Sequence, residues 1–385
     1  MTASPATIGI DARKLGDFGI GTYVQGLLGG ISRLDHENRF VVFVRRAGEP
    51  HLPPLPSNFE VLRAEAPGYS LRELIGLSWS LRRRPLDLYH ATHYSLPAAL
   101  PSACVVTVHD LIHLLFPEHL PGRVALLYAR LMLGRAARLA RRVIAVSQAT
   151  SADLQRELGL AESRIDVVPN GLDAAFLRPV GTSELRARLA ALGVATPYLL
   201  FLGNPKPHKN LARLLAAYRR LVDRGDEPPR LVLAGARDRE LAELAAETVR
   251  SGLGERIQIL GHVPAADLPA LLQGATLFLF PSLYEGFGLP VLEAMATGTA
   301  VLAADVPALR ELTGGCAHLV DPLDVEALAA GIAHCLGDTP RRESLAARGH
   351  ERAREFSWEL TARRTLAVYA RALGRLLPGP AGAVS

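Results

Sequence analysis

The stretch Thr276-Leu277-Phe278-Leu279-Phe280-Pro281-Ser282-Leu283-Tyr284-Glu285-Gly286-Phe287-Gly288-Leu289-Pro290-Val291-Leu292-Glu293 decides the fold. Its apolar start reads as a buried strand, its glycines as a loop, and Pro290 as the opening of a helix that Gly298 closes. Between Asp267 and Asp305 only Glu285 and Glu293 are formally charged. Carboxylates in so apolar a segment are costly without partners. Taken singly, Glu293 reads as a complement to the helix dipole and Glu285 as a solvated loop residue. Together they mark a site, because a strand, a glycine loop and a helix start aim backbone amides at an anion.

Outward from this stretch the alternation repeats. Toward the C-terminus come a strand at 300–303, a helix at 325–336 and a helical tail at 357–377. Toward the N-terminus a helix from Thr182 leads into strands at 199–202, 231–235 and 257–260. Helices at 211–222 and 237–252 follow the first two of these, and Gly261-His262-Val263-Pro264 closes the third. An earlier series has strands at 8–11, 40–44, 59–62, 86–90, 105–108, 143–146 and 165–168, with helices from Thr22, at 71–83 and at 147–160. Strands alternating with helices mean parallel sheets with right-handed crossovers. The series restarts near residue 190, so the fold class is α/β, with two doubly wound Rossmann-like domains facing each other across a cleft. The expected domains are 1–180 and 181–356. Ligands in such sheets lie beyond the carboxyl ends of strands. That singles out the loops at Gly19-Ile20-Gly21, His109-Asp110, 203–210, 262–264 and 285–293.

A length of 385 residues suits two cores, and 49% hydrophobic with 21% charged residues is the composition of a globular enzyme. Cys104, Cys316 and Cys335 are far apart, which argues for a reducing compartment and against a disulfide framework or zinc finger. Residues 1–7 do not read as a signal peptide. The uncharged run 268–284 is too short to span a bilayer and contains Pro269 and Pro281. The expectation is a soluble, cytoplasmic chain. Its net charge of +5 is concentrated in Arg123, Arg130, Arg135, Arg138, Arg141 and Arg142, in a segment without acids. Interleaved with Leu126, Leu127, Tyr128, Leu131, Met132 and Leu133, they suggest a basic amphipathic helix. Such a face suits peripheral contact with an anionic membrane, here its inner face, or equally a solvated face with snorkelling arginines. No nucleic-acid-binding pattern is present.

Several chemistries are excluded. Val24 stands where a G-x-G-x-x-G fingerprint needs its third glycine, and there is no P-loop, HExxH or GxSxG. His90, His93, His109 and His113 lie close in sequence, but no thiolate or HExxH carboxylate is in register with them to complete a metal site. No two aspartates stand two residues apart, so the DxD element that holds a metal on nucleotide sugars is missing and no metal or cofactor is expected. Of 43 basic residues only Lys14, Lys206 and Lys209 are lysines, and two of them fall in the loop at 203–210. A compact ammonium is well suited to a phosphate. Lys209, a helix start at Leu289-Pro290 and two glutamates therefore suit a diphosphate flanked by hydroxyl-rich groups.

These residues carry a resemblance. Gly19-Ile20-Gly21, His109-Asp110, Val146-Ser147, Val168-Pro169-Asn170-Gly171, Lys209-Asn210, Gly261-His262-Val263 and an E-x7-E pair at Glu285 and Glu293 occur in order over nearly the whole chain. The chain resembles a family 4 (group 1) glycosyltransferase, of the retaining, two-Rossmann-domain GT-B type. Phe356-Ser357-Trp358 resembles the start of that family's last helix, which implies that residues 357–385 cross back to the N-terminal domain. The resemblance implies that Glu285 and the backbone of Gly286, Phe287 and Gly288 hold the donor sugar. It assigns the diphosphate to Lys209 and the amides at Leu289, the ribose hydroxyls to Glu293, and the base to the Val263 backbone. His109 would contact the sugar near the reacting carbon, with Gly19 and Gly21 closing over phosphates and acceptor.

One position departs from the pattern. Many members carry arginine where this chain has Asn204, and Lys206 or His208 would then compensate. The Pro-x-Lys-Asn pattern resembles the subset that builds bacterial surface polysaccharides, often with mannose or rhamnose. The implied partners are a nucleotide sugar and a glycan or lipid-linked saccharide acceptor. Two rivals remain on the residues alone: a non-catalytic nucleotide-sugar or glycan-binding protein, and a nucleotide-sugar epimerase of the same architecture.

Overall fold

A computed structural model describes residues 4–64, 85–98, 100, 103–119, 122–236 and 238–378. The helix expected at 71–83 lies outside them, as does Arg237. The chain divides into two compact units, Met1–Gly171 with Phe356–Ser385, and Leu172–Glu355. The passage between units at Gly171 and Leu172 precedes the 180/181 boundary drawn from the sequence. The reason is local, since Val180 and Gln273 exchange two hydrogen bonds (2.7 and 2.9 Å) and so tie the start of this segment to the second unit.

The first unit is built on strands β1 (Thr7–Asp11), β2 (Arg39–Val44), β3 (Phe59–Arg63), β4 (Leu88–Ala91), β5 (Ala103–Val108), β6 (Arg142–Ala145) and β7 (Ile165–Val167). They pair in parallel in the order β3-β2-β1-β4-β5-β6-β7. Strands buried on both faces need apolar residues at every position. In β2, Phe40, Val42 and Val44 pack with Ile8 and Ile10 on one face, while Val41 and Phe43 pack with Tyr89 and Val106 on the other. The helices are α1 (Phe18–Leu34), α2 (Ile112–Leu115), α3 (Arg123–Leu139) and α4 (Gln148–Leu158). Helix α1 covers the first face, and α3 and α4 the second.

The second unit has β8 (Tyr198–Leu202), β9 (Arg230–Ala234), β10 (Ile257–Gly261), β11 (Leu277–Phe280), β12 (Val301–Ala304) and β13 (His318–Val320), parallel in the order β10-β9-β8-β11-β12-β13. Its helices are α5 (Thr182–Ala191), α6 (Leu211–Asp223), α7 (Asp238–Arg250), α8 (Leu268–Gln273), α9 (Leu289–Ala296), α10 (Pro307–Thr313), α11 (Val325–Gly337) and α12 (Thr339–Ala353). Strand β13 and helices α8, α10 and α12 are additions to the sequence reading.

The last helix, α13 (Trp358–Leu373), belongs to the first unit. Ser357 caps it by accepting from the Leu360 amide at 3.1 Å, and Thr361 Oγ1 donates to Pro169 O at 2.9 Å. Helices α1 and α13 pack closely because Gly26 and Gly30 carry no side chain. A Cβ on Gly26 would lie 2.1 Å from the Trp358 ring, and one on Gly30 would lie 2.4 Å from Trp358 O.

Both units therefore share one topology. In each, the strand order reverses at a single point, between β1 and β4 and between β8 and β11. Open parallel sheets bind ligands in the crevice at the carboxyl end of that point.

Candidate functional site

In the second unit the reversal brings together the loops that follow β8 and β11. After β8 the chain folds as consecutive turns, with Lys206 N bonded to Asn204 O (2.8 Å) and Lys209 N to Lys206 O (2.9 Å). Asn210 then takes a left-handed conformation (φ 60°) and is 3% exposed. Its Nδ2 donates to Pro281 O (3.0 Å) and Pro322 O (2.7 Å), while Leu283 N donates to His208 O (2.8 Å). These bonds fix the Lys209 turn against the loop carrying Glu285. The result is a 2.6 Å hydrogen-bonded ion pair from Lys209 Nζ to Glu285 Oε1, with side chains only 14% and 13% exposed. Lys209 Nζ also lies 4.9 Å from the centre of the Phe280 ring, a cation–π contact.

Gly288 opens α9 at φ 102°, and a Cβ there would come within 2.6 Å of Leu309 Cδ2. Position 288 thus requires glycine on both conformational and steric grounds. The Val291 and Leu292 amides turn back to Gly288 O (2.9 and 3.2 Å), and Pro290 has no N–H. The Leu289 amide has no partner among the described residues, which leaves it available to an anion. Glu293 is the fifth residue of α9, one residue further in than a helix opened by Pro290 would place it. Its carboxyl has no hydrogen-bond or ion-pair partner among the described residues. Burial pushes it up to about 8, and the Asp173 carboxylate acts in the same direction.

Gly286 and Phe287 are buried beside Gly288, and Val263, 5% exposed, follows β10. Asn204 is half-buried, while Lys206 is exposed and is not drawn into the Lys209–Glu285 pair.

In the first unit, His109 follows β5. Its Nε2 lies 2.9 Å from Thr92 O, and since a carbonyl only accepts, Nε2 carries the proton and Nδ1 is an acceptor. Burial holds the imidazole below its ordinary pKa, against the raising pull of the Thr92 carbonyl and Asp110. The Tyr23 ring meets it edge-on at 4.8 Å and 80°. Behind Tyr23 runs a buried hydrogen-bond chain: Tyr23 OH to Thr107 Oγ1 (2.9 Å), Thr107 Oγ1 to His90 Nε2 (2.8 Å), and His90 Nδ1 to Tyr369 OH (2.7 Å). Both ring nitrogens of His90 are occupied, so it is a structural residue. Burial takes it down to about 3.

Gly19 and Gly21 were expected in a loop before the helix. Instead α1 begins at Phe18 and both lie in its first turn, with Gly21 N bonded to Asp17 O at 2.5 Å. The glycine at 21 answers a close approach, because a Cβ would lie 2.4 Å from Leu15 O.

Asn210, Thr92 and Tyr23 were not assigned roles from the sequence. Asn210 had a signal, since Lys209-Asn210 is one of the motifs that carry the family resemblance. Thr92 and Tyr23 had none, because their importance comes from strand order.

Two family models match the chain, Glycosyltransferase Family 4 over residues 19–176 and Glycosyl transferases group 1 over residues 191–352. The O-antigen chain mannosyltransferase B of Escherichia coli is 33% identical over 296 residues, covering 76% of each chain. The MMP alpha-(1->4)-mannosyltransferase of Mycolicibacterium hassiacum is 34% identical over 250 residues, or 64% of this chain and 57% of that one. The crystal structure of Anabaena Alr3699/HepE in complex with UDP and glucose has the same fold, with a TM-score of 0.74 at 23% identity over 96% of this chain and 100% of that one. The alternating strands and helices, the shared topology of both units and these likenesses agree: the chain belongs to the family 4, group 1 glycosyltransferases and is a glycosyltransferase of GT-B fold.

Proposed function

We propose that the chain transfers mannose from a nucleoside-diphosphate sugar to a hydroxyl of a glycan or lipid-linked saccharide, with retention of configuration and without a metal. The observation that carries this reading is the buried Lys209–Glu285 contact at the reversal of the second sheet, beside the Leu289 amide. Mannose is favoured because the two relatives named above are mannosyltransferases.

As the bond from the anomeric carbon to the diphosphate breaks, negative charge grows on the diphosphate. Lys209 and the Leu289 amide are aimed at such a charge and stabilise it more than the ground state. A diphosphate outcompetes the single carboxylate of Glu285 for Lys209, which releases Glu285 to accept from sugar hydroxyls. Glu293 serves the ribose hydroxyls and His109 Nδ1 accepts from a sugar hydroxyl. A cation at Lys209 takes the place that a metal would fill at the leaving group.

Among the described residues no helix is long and apolar enough to cross a membrane. Helix α3 nevertheless exposes Val124 (84%), Leu127 (68%) and Leu131 (55%) at helical spacing, beside exposed Arg123, Arg130 and Arg138. An apolar stripe edged with arginines fits an anionic bilayer surface, where a lipid-linked acceptor would reside. Arg135 is different, since it donates to the Leu96, Pro97 and Ala98 carbonyls and serves the fold.

The reading is tested by thermal-shift screening of nucleotide sugars, followed by transfer assays with and without EDTA and NMR of the product's anomeric configuration. A ligand at about 100 times its dissociation constant stabilises by about 2.7 kcal/mol. Inverted product or EDTA-sensitive turnover would overturn the retaining, metal-free reading.

A further inference from the structure

Asn210 stands at the start of α6, where an asparagine side chain ordinarily accepts from an amide of the first turn. Here it makes no such bond. The backbone alone closes the turn and opens the helix, with Asn210 N bonded to Pro207 O (3.0 Å) and Asn210 O accepting from Leu214 N (3.2 Å). The carboxamide is directed elsewhere. Its Nδ2 donates to Pro281 O (3.0 Å) after β11 and to Pro322 O (2.7 Å) after β13, and its Oδ1 accepts from Arg213 Nη1 (3.0 Å).

This amide has a single orientation. A guanidinium only donates, so the atom facing Arg213 is the oxygen, and carbonyls only accept, so the atom facing them is the nitrogen. Arg213 on α6 thereby holds both amide hydrogens on the two carbonyls. Each anchor is stiff, because the rings of Pro281 and Pro322 fix φ. Beyond Pro322 the loop is braced further, as Asp321 Oδ1 accepts from Leu323 N (2.8 Å) and Asp324 Oδ1 from Glu326 N (2.8 Å). Three loops of the second sheet are thus tied at one buried side chain, which directly follows Lys209. In the ligand-free protein the Glu285 ion pair also places Lys209. Once a diphosphate displaces Glu285, that restraint is gone and the amide remains.

We propose that Asn210 and Arg213 are positioning residues for the transfer, holding Lys209 where the diphosphate is met. This rests on the reading that Lys209 binds the donor diphosphate, and it extends the site to a guanidinium that acts through Asn210 and not by contact with the donor.

UDP and GDP are the probes, titrated by calorimetry into the full-length protein, with melting temperatures measured alongside. Asn210→Gly suits the left-handed backbone and removes only the carboxamide. It should weaken nucleotide binding by about tenfold. Asn210→Asp keeps the size and the contact with Arg213 but sets a carboxylate against two carbonyls, and should weaken binding at least as much. Arg213→Met should weaken it by about threefold. Since Asn210 acts through Lys209, adding Asn210→Gly to Lys209→Met should change affinity by less than about twofold. Tyr198→Phe removes a buried bond to Leu271 O (2.5 Å) at the opposite end of β8. It should lower the melting temperature and leave nucleotide binding within about twofold. In transfer assays Asn210→Gly should lower kcat by about tenfold or more with the acceptor's KM unchanged. The proposal is overturned if Asn210→Gly or Arg213→Met binds nucleotide as wild type does, if the Asn210→Gly loss adds in full to that of Lys209→Met, or if Tyr198→Phe weakens binding as much. Wild type that binds neither nucleotide overturns the donor reading and this proposal with it, whereas wild-type binding with an unaffected Asn210→Gly overturns this proposal alone.

Discussion

Lys209 Nζ and Glu285 Oε1 stand 2.6 Å apart, although 76 residues separate them in the chain. Each is costly without the other, since both side chains are largely withdrawn from water. Lys209→Met leaves the Glu285 carboxylate unpaired and should cost about 1–3 kcal/mol of stability. It should also lower turnover by about 10²–10³, the loss typical of one donor removed from a developing anion. Adding Glu285→Gln should recover much of the stability and none of the turnover. Thermal melts and transfer assays on the single and double variants check this. Near-normal transfer by Lys209→Met would remove the lysine from the leaving-group role.

Glu293 gives the second unit a pH signature. Its carboxyl rises from an ordinary 4.5 to about 8 in the fold. A group raised on folding contributes stability that is fully present below the unfolded value and is lost as pH rises through the folded one. The melting temperature of the ligand-free protein should therefore fall between about pH 4.5 and 8 by a component that Glu293→Gln lacks. At pH 9 the glutamine variant should be the more stable of the two. Equal pH profiles for the two proteins would show that the carboxyl is ionised in the fold.

The strands were legible because a strand covered on both faces must be apolar throughout, as in Leu277-Phe278-Leu279-Phe280. β13 was not, since His318-Leu319-Val320 is too short to carry a period. Helix α12 buries only Leu345, Gly349 and Ala353, a single narrow stripe in a charged segment. The identities of Lys209, Glu285 and Glu293 stood out as charges or lysines in unexpected places. Their geometry could not, because Lys209 meets Glu285 only if β8 and β11 are neighbours, and three strands in sequence separate those two loops from adjacency. At Gly19 and Gly21 the glycine signal was misread as a loop. The close approach of Leu15 demands a small residue, and a helix start can supply it.

The first unit should be acid-sensitive through His90. Burial lowers its pKa from 6.5 to about 3, and both nitrogens are hydrogen-bonded. A group depressed on folding contributes stability present above the unfolded value and lost as pH falls toward the folded one. Stability should therefore decline from about pH 6.5 toward 3, and the lowered values at His93 and His109 act in the same direction. His90→Gln should flatten that decline. It should also cost about 1–3 kcal/mol at pH 7, because Tyr369 and Thr107 lose a buried partner. Urea melts at successive pH values measure both effects, and an unchanged acid slope in His90→Gln would place the sensitivity elsewhere.

Helix α3 separates arginines that serve the fold from those that face outward. Arg123, Arg130 and Arg138 are exposed next to Val124, Leu127 and Leu131, whereas Arg135 is committed to three carbonyls. Each basic residue near an anionic surface contributes about 1 kcal/mol. Replacing the three exposed arginines by glutamine should therefore weaken binding to vesicles of phosphatidylglycerol and phosphatidylcholine by about two orders of magnitude. Binding should fall as salt rises, because the interaction is screened within a Debye length. Leu127→Ser with Leu131→Ser should reduce binding even at low salt, since the apolar stripe acts by burial and not by charge. Turnover on a soluble acceptor should be unaffected in both sets of variants. Wild-type protein that fails to bind such vesicles at low salt would leave α3 as a solvated helix with snorkelling arginines.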